Sequence, residues 1–389
     1  MRAVVAINAF KGSLTSEEAG RAAADGILEA DPEARIRVLS LADGGDGTRA
    51  SLVRSLGGEA RESLVTGPLG SPVRAKWAVA RFPGDPEPAA LIDAADTSGL
   101  VLVPPEERNP LRTTTRGLGE LILDARKQGI RSFVIGLGGS ATNDCGIGML
   151  GALGFDLRTS DGTPAGAFGR DLGSVASIGP GSSAALLTGC RFRAACDVRN
   201  PLTGPDGASL VFGPQKGGSP DDLLVMDRQM ERFAHLAEKD LGADPASREA
   251  PGSGAAGGLG YALRAFLRAE LVPGTDLILD AAGFDDAVRD ADLLVTGEGR
   301  IDRSTAFGKA PAAAATRAKR VNPGVATLAV CGEAAGDVPP EAGIDAVLPV
   351  CPGPVPVSLA MDPGAAASNV RRTVREAARL FLAARRQTR

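Results

Sequence analysis

Residues 3–56, AVVAINAFKGSLTSEEAGRAAADGILEADPEARIRVLSLADGGDGTRASLVRSL, alternate two apolar runs with two helical ones. Residues 3–9 suit a buried strand. Thr15-Ser16-Glu17-Glu18 offers a capping box, in which a hydroxyl and a carboxylate three residues apart satisfy each other's backbone N–H, for a helix to about Ala30. Arg37 to Leu41 reads as a second strand, and Asp43-Gly44-Gly45-Asp46-Gly47 leads into a helix from Thr48 to Leu56. Strand, helix, strand, helix on short links predict parallel strands covered by helices on both faces.

From about residue 62 the rhythm changes. ESLVTGPLGSPVRAKWAVARF (62–82) has turn signals at Gly67-Pro68 and Gly70-Ser71-Pro72, and AALIDAADTSGL (89–100) adds another strand. TTRGLGELILDARKQG (114–129) reads as a helix, SFVIGLGG (132–139) as a strand and turn, and GIGMLGALG (146–154) as a helix of small residues. After Gly254 the α/β alternation returns, with a helix from Ala256 to Glu270. The strands TDLILD (275–280), ADLLVTGEG (291–299), VATLAVCG (325–332) and DAVLPVC (345–351) follow. The expected architecture is α/β in two domains. A discontinuous Rossmann-like parallel-sheet domain takes residues 1–61 and 267–389, and a mixed-sheet α/β domain is inserted at 62–266.

Composition excludes several function classes. Lys+Arg number 43 against 47 Asp+Glu, for a net charge of −4, and aromatics are 4% of the chain. A nucleic-acid binder needs a basic footprint and stacking residues, so no nucleic-acid partner is expected. The arginines of the last helix (Arg371, Arg372, Arg375, Arg379, Arg385, Arg386) read as its solvated face. No run approaches the ~18 apolar residues of a membrane span, and Lys11 interrupts the N-terminal apolar run too soon for a secretory core. No membrane association and a cytoplasmic location are therefore expected. The five cysteines are scattered without a C-x-x-C pair, so neither a disulfide framework nor a zinc finger is expected. The single histidine, His235, falls on the polar face of a helical run, which leaves acid–base chemistry to carboxylates and lysines. Glycine (51) and proline (27) make up about a fifth of the chain, a surplus that points to its loops.

Five such loops sit at strand ends or helix starts, where open α/β sheets bind ligands. Phe10-Lys11-Gly12-Ser13 combines a cation, an open N–H and a hydroxyl, as an anion requires. Gly136-Leu137-Gly138-Gly139-Ser140-Ala141-Thr142-Asn143-Asp144 lets the backbone approach a polyphosphate, with Asp144 placed to hold Mg²⁺. It also matches a dinucleotide fingerprint, with Asp156 twenty residues on, but that pattern does not call for Thr142-Asn143-Asp144. Asp197, in Ala195-Cys196-Asp197-Val198, is a candidate base, with Gly213-Pro214-Gln215-Lys216-Gly217 beyond it. Pro251-Gly252-Ser253-Gly254-Ala255-Ala256-Gly257-Gly258 is an anion nest or a hinge. Thr296-Gly297-Glu298-Gly299-Arg300-Ile301-Asp302 with Gly308-Lys309 gathers two carboxylates and two cations. No Walker A sequence or protein-kinase motif set occurs, yet this is the inventory of phosphoryl transfer.

FKGSLTSEEA, LADGGDGT, TTTRGLGELI, GLGGSATNDCGIGMLGALG, CDVRNPLTGPDGA, FGPQKG, PGSGAAGGLG and TGEGRID occur in the order shown by the bacterial glycerate kinase family, which the chain resembles over essentially its full length. The resemblance implies ATP- and Mg²⁺-dependent phosphorylation of D-glycerate, usually at the 2-hydroxyl, giving 2-phosphoglycerate. It also implies two α/β domains with the active site in the cleft between them. Asn8-Ala9 stands where the family more often has Asp-Ser, and Cys145 replaces a usual glycine.

On this reading Asp197 is the expected base, Asp144 its reserve, and Lys11 the third catalytic group. Arg300 is the bidentate clamp for the substrate carboxylate, with Ser253 and Lys216 also on the substrate. Gly12, Ser13, Gly138, Gly139, Ser140, Thr142 and Lys309 are expected at the phosphates or nucleotide, and Asp43, Glu298 and Asp302 at the metal. The partner is a small molecule, and a homodimer is left open. The alternatives are a non-catalytic sugar-acid sensor on the same scaffold and a kinase of another short hydroxy acid.

Overall fold

The computed structural model describes residues 1–41, 48–302, 309–336 and 340–387. They form thirteen strands: β1 Arg2–Ile7, β2 Arg35–Ser40, β3 Glu59–Thr66, β4 Pro72–Ala80, β5 Ala89–Asp93, β6 Ser132–Gly136 and β7 Asp156–Arg158, then β8 Ser177–Gly179, β9 Arg191–Ala195, β10 Glu270–Val272, β11 Leu293–Asp302, β12 Ala326–Ala335 and β13 Ala346–Pro349. The chain divides into two compact units, Met1–Asp43 with Thr275–Arg389, and Gly44–Gly274. The fold class is α/β, with a parallel sheet in one unit and a separate mixed sheet in the other.

In the first unit the sheet runs β13-β12-β11-β1-β2, with every pairing parallel. Alternate residues of β1 point to opposite faces, and both faces are covered. Ala3, Val5 and Ile7 pack with Ile27 of the helix Ser16–Ala30 and with Val370 and Val374 of the helix Pro363–Gln387. Val4 and Ala6 pack on the other side with Phe284, Val288 and the alanines of the helix Ala310–Val321. The two helices of the first layer cross so closely at Gly26 that a Cβ there would fall on the Arg371 carbonyl oxygen.

The sheet of the second unit runs β10-β9-β6-β5-β4-β3. β3, β4 and β5 are antiparallel, whereas β5, β6, β9 and β10 are parallel, so these four deliver their carboxyl ends to one edge. Trp77 and Phe133 anchor its core and are fully buried. β7 and β8 form a separate antiparallel pair. The helix Pro220–Leu241 turns Met226, Met230 and Phe233 inward and leaves His235 exposed beside Glu238.

Two expectations are corrected. TDLILD is not a strand but lies in the helix Gly274–Ala281. Leu277, Ile278 and Leu279 are all buried, a three-residue apolar run that serves a buried strand or a buried helix equally. The helical turn sets Asp276 and Asp280 one turn apart, and Arg317 bridges both together with Asp285. The units divide after Asp43 and Gly274 rather than at residues 61 and 266, because the helix Thr48–Leu56 packs on β4 and β5.

The capping box forms as its residue types dictate: the Thr15 hydroxyl accepts from Glu18 N at 3.2 Å, and the Glu18 carboxylate accepts from Thr15 N at 2.8 Å. Thr15→Ala removes one acceptor of an orphan helix N–H and should destabilise the chain by about 1 kcal/mol. The check is a lowered denaturant midpoint with an unchanged slope; an unshifted midpoint would mean the cap contributes nothing.

Candidate active site

In the first unit β1 leads through its helix to β2 on one side, while β11, β12 and β13 progress to the other. The strand order therefore reverses between β1 and β11, and a doubly wound sheet opens its ligand crevice at the carboxyl ends flanking such a point. A cavity of about 680 Å³ lies there. Val350, Val355, Val357, Ala360 and Met361 give it an apolar wall, and Lys11, Arg300 and Lys309 bring cations.

The β11 residues Glu298, Arg300 and Asp302 share one strand face, while Ile301 points into the core. Lys309 Nζ lies 4.0 Å from Glu298 and 3.6 Å from Asp302. Arg300 stands between two acids, 3.6 Å from Asp302 and 3.7 Å from Glu333. The structure thus brings Glu298, Arg300, Asp302 and Lys309 together; Asp43 lies outside the described residues. The β1 loop adds Lys11 and Ser13 to the cavity lining. The Phe10 carbonyl accepts from Ser13 N at 2.8 Å, and Gly12 takes φ +79°, so its backbone conformation favours glycine. Asn8, buried at the base of this loop, accepts from Ala9 N at 2.8 Å.

The second unit holds the other candidates at the carboxyl edge of its parallel strands. Asp197 follows β9, is exposed, and accepts from Gly274 N at 2.9 Å. Gly138 and Gly139 follow β6, and Gly139 is exposed with φ +67°. The N–H groups of Gly138, Gly139 and Ser140 meet no acceptor among the described residues.

The remaining predicted groups lie in the interior. Asp144 is fully buried and accepts from four donors: Thr115 N at 2.9 Å, Thr115 Oγ1 at 2.8 Å, Gly146 N at 3.1 Å and Gly148 N at 3.3 Å. Burial raises its pKa against the pull of those donors. These bonds tie the carboxylate to the residues before one helix and at the start of the next. Ser253 is likewise buried, its hydroxyl donating to the Ser247 carbonyl at 2.6 Å. Ser140 and Thr142 turn their hydroxyls into the protein, and Lys216, 2% exposed, donates from Nζ to Ser140 Oγ at 3.1 Å and to the Thr142 carbonyl at 2.7 Å.

A second glycine run supports this loop from outside. Ala256, Gly257 and Gly258 all take left-handed backbone angles, and the Gly257 carbonyl accepts from Cys145 N at 3.0 Å. A Cβ on Gly257 would collide with the Thr142 carbonyl. Cys145, at the position where the resemblance leads one to expect glycine, has φ +51°, a conformation that costs a non-glycine residue roughly 1–2 kcal/mol.

Several participants were missed from sequence. Thr115 buckles Asp144, and the run of three threonines before a helix was the signal for a side chain that bonds backbone. Asp93, at the end of β5, accepts from Arg49 N at 3.2 Å and lies where a Cβ on Gly136 would sit, 2.6 Å from that point. The apolar cavity wall comes from the proline-rich segment 350–361, which carries no motif.

The glycerate kinase family matches residues 3–382. The chain belongs to the glycerate kinase family. It is 45% identical over 380 residues to a glycerate kinase of Bacillus subtilis (strain 168), covering 97% of each chain. It is 41% identical over 352 residues to the glycerate 2-kinase of Escherichia coli (strain K12), covering 90% of each. The crystal structure of a Salmonella typhimurium LT2 protein provisionally named glycerate kinase 2 superposes with a TM-score of 0.84 at 40% identity and 99% coverage of both chains. Membership makes the chain a kinase. No described helix is long and apolar enough to cross a membrane.

Burial also acts on Lys216, pulling its pKa from 10.5 down to about 7 against the charge of Asp144. Between those values the unfolded chain holds a proton that the folded chain has released, so this residue's contribution to stability rises with pH across that window. Wild type should therefore gain denaturant resistance relative to Lys216→Met between pH 7 and 10. A difference that stays constant with pH would contradict it.

Proposed function

We propose that the chain transfers the γ-phosphoryl group of ATP to the 2-hydroxyl of D-glycerate, releasing ADP and 2-phosphoglycerate. The observation that carries the nucleotide half is the cavity at the strand-order reversal, lined by apolar residues of 350–361 together with Lys11, Arg300 and Lys309 and the acids Glu298 and Glu333. Glycerate, a small polar anion, has no use for five apolar wall residues, whereas an adenine ring does. The acceptor half rests on the match to named glycerate kinases across nearly the whole chain.

Lys11, Lys309 and the N–H of Gly12 in the first unit are suited to phosphate oxygens, and in the second unit the N–H groups of Gly138 and Gly139, which meet no acceptor among the described residues, are suited to an anion. Arg300 presents a planar guanidinium for the substrate carboxylate. Glu298 and Asp302 are oxygen donors on one strand face, and no cluster of three or more metal-ligating side chains occurs among the described residues. That donor set fits Mg²⁺, which binds through one or two carboxylates with waters and phosphates completing its shell. Glu298 and Asp302 would hold such an ion, which would supply positive charge against that developing on the transferred phosphoryl group.

In the reaction the 2-hydroxyl oxygen bonds to the γ-phosphorus, the bond to the bridging oxygen of ADP breaks, and the hydroxyl proton needs an acceptor. Asp197 is our assignment for that proton, since it is exposed at a strand end while Asp144 is sealed.

Purified protein given Mg·ATP and D-glycerate should form ADP and 2-phosphoglycerate, identified by NMR. No ADP release with any short hydroxy acid would leave the sugar-acid sensor as the better reading. Asp197→Asn should lower kcat by about 10²–10⁴ with nucleotide affinity retained. A variant within threefold of wild type would remove Asp197 from the chemistry.

A further inference from the structure

Lys216 sits at the end of a short helical turn, Pro214–Lys216, in a segment with no room to shift. Gly217 takes φ +84°, and a Cβ there would fall on the Arg108 carbonyl; one on Gly213 would fall on Leu223 and on the Ser209 carbonyl. The turn therefore aims the Lys216 stem inward along one path. Its Nζ ends between Ser140 Oγ and the Thr142 carbonyl, two acceptors on one stretch of the glycine loop between β6 and the helix Ile147–Ala152.

The rest of that loop is fastened through its backbone. Leu137 N donates to the Ala195 carbonyl at 3.1 Å, Ala141 N to the Ser98 carbonyl at 2.8 Å, and the Gly139 carbonyl accepts from Leu100 N at 2.8 Å. Every one of these bonds spares the N–H groups of Gly138, Gly139 and Ser140. Between Ser140 and Thr142 the loop is also met by the Thr113 hydroxyl, which donates to the Ala141 carbonyl at 3.1 Å, but removing Lys216 would still leave a buried carbonyl and a buried hydroxyl without their donor.

We propose that Lys216 is a positioning residue: by gripping Ser140 and Thr142 it holds the N–H groups of Gly138, Gly139 and Ser140 in one geometry for the transferred phosphoryl group. The proposal rests on the phosphoryl-transfer reading above and assigns the residue a part apart from substrate contact, for which its burial leaves no access. The grip does not depend on charge. A protonated Nζ has three N–H groups and a neutral one has two, so two acceptors are served in either state. Asp144, the neighbouring charged group, shifts that proton balance without taking part in the grip.

The test uses the full-length chain with Lys216→Met, Ser140→Ala and the double variant. Steady-state kinetics with Mg·ATP and D-glycerate, thermal melting and hydrogen exchange of the peptide spanning residues 136–144 are followed together. Lys216→Met should lower kcat about 10²-fold while KM for glycerate changes less than about threefold, the signature of misplacement rather than lost binding. Ser140→Ala should cost about tenfold alone and add little to Lys216→Met, since both act through one contact. Exchange in 136–144 should quicken in Lys216→Met with β5 and β6 unaffected. Wild-type kcat in a folded Lys216→Met, additive losses, or unchanged exchange in the loop would each overturn the proposal. Should Lys216→Met fail to fold, Ser140→Ala decides, and wild-type kcat in it counts against the grip. An inactive wild type would overturn the functional reading instead, and the exchange arm would still judge the loop.

Discussion

Strand β1 lies hydrogen-bonded between β2 and β11, its partners coming from next to it in sequence and from near the other end of the chain. Parallel pairing brings with it a fixed polarity. Once Ala3 is paired with Leu293 and Ile7 with Gly297, every loop that leaves β1, β11, β12 or β13 emerges on the same edge. Lys11, Glu298, Arg300 and the 350–361 wall become neighbours because their strands point the same way, whatever their distance along the chain. The reversal of strand order beside β1 then leaves a gap that no crossover helix fills. The sheet pairing therefore produces the cavity, and the loop residues set its chemistry.

The second unit solves a different problem. Its glycine loop is held in place while the N–H groups of Gly138, Gly139 and Ser140 meet no acceptor among the described residues. Rigidity comes from underneath: Asp144 is held by Thr115, Gly146 and Gly148, Ser140 and Thr142 by Lys216, and Cys145 by the left-handed run at Gly257. Burying an ammonium and a carboxylate here is unfavourable on desolvation, and the hydrogen bonds each receives or makes offset that cost. Desolvation is thereby exchanged for one defined loop shape.

Much of this was legible in order but not in depth. The capping box at Thr15, the helix Thr48–Leu56, the α/β class and the loops themselves follow from local chemistry, because caps, turns and period are read over a few residues. The cluster of Glu298, Arg300 and Asp302 was also local, since alternate residues of one strand share a face. TDLILD misled because three consecutive apolar residues carry no period, and the choice of helix was made by Arg317, which reaches Asp276 and Asp280 from another helix. A motif also cannot say which way its side chains turn. Ser140, Thr142, Asp144, Lys216 and Ser253 have the residue types of a phosphate site, yet all five are buried.

The sequence by itself determined the alternation of elements, the placing of glycines where the backbone must turn left-handed or approach another chain segment, and the stock of acids, lysines and hydroxyls available for chemistry. These depend on interactions within one turn or one strand. Tertiary structure alone decided which of those groups are reached by solvent and which are spent on holding loops. Exposure is set by what packs on top, and the Lys216 turn, the Ala256–Gly258 run and the 350–361 wall come from segments far apart in the chain. No local pattern encodes that a lysine will point inward. Only the packing of distant segments does so.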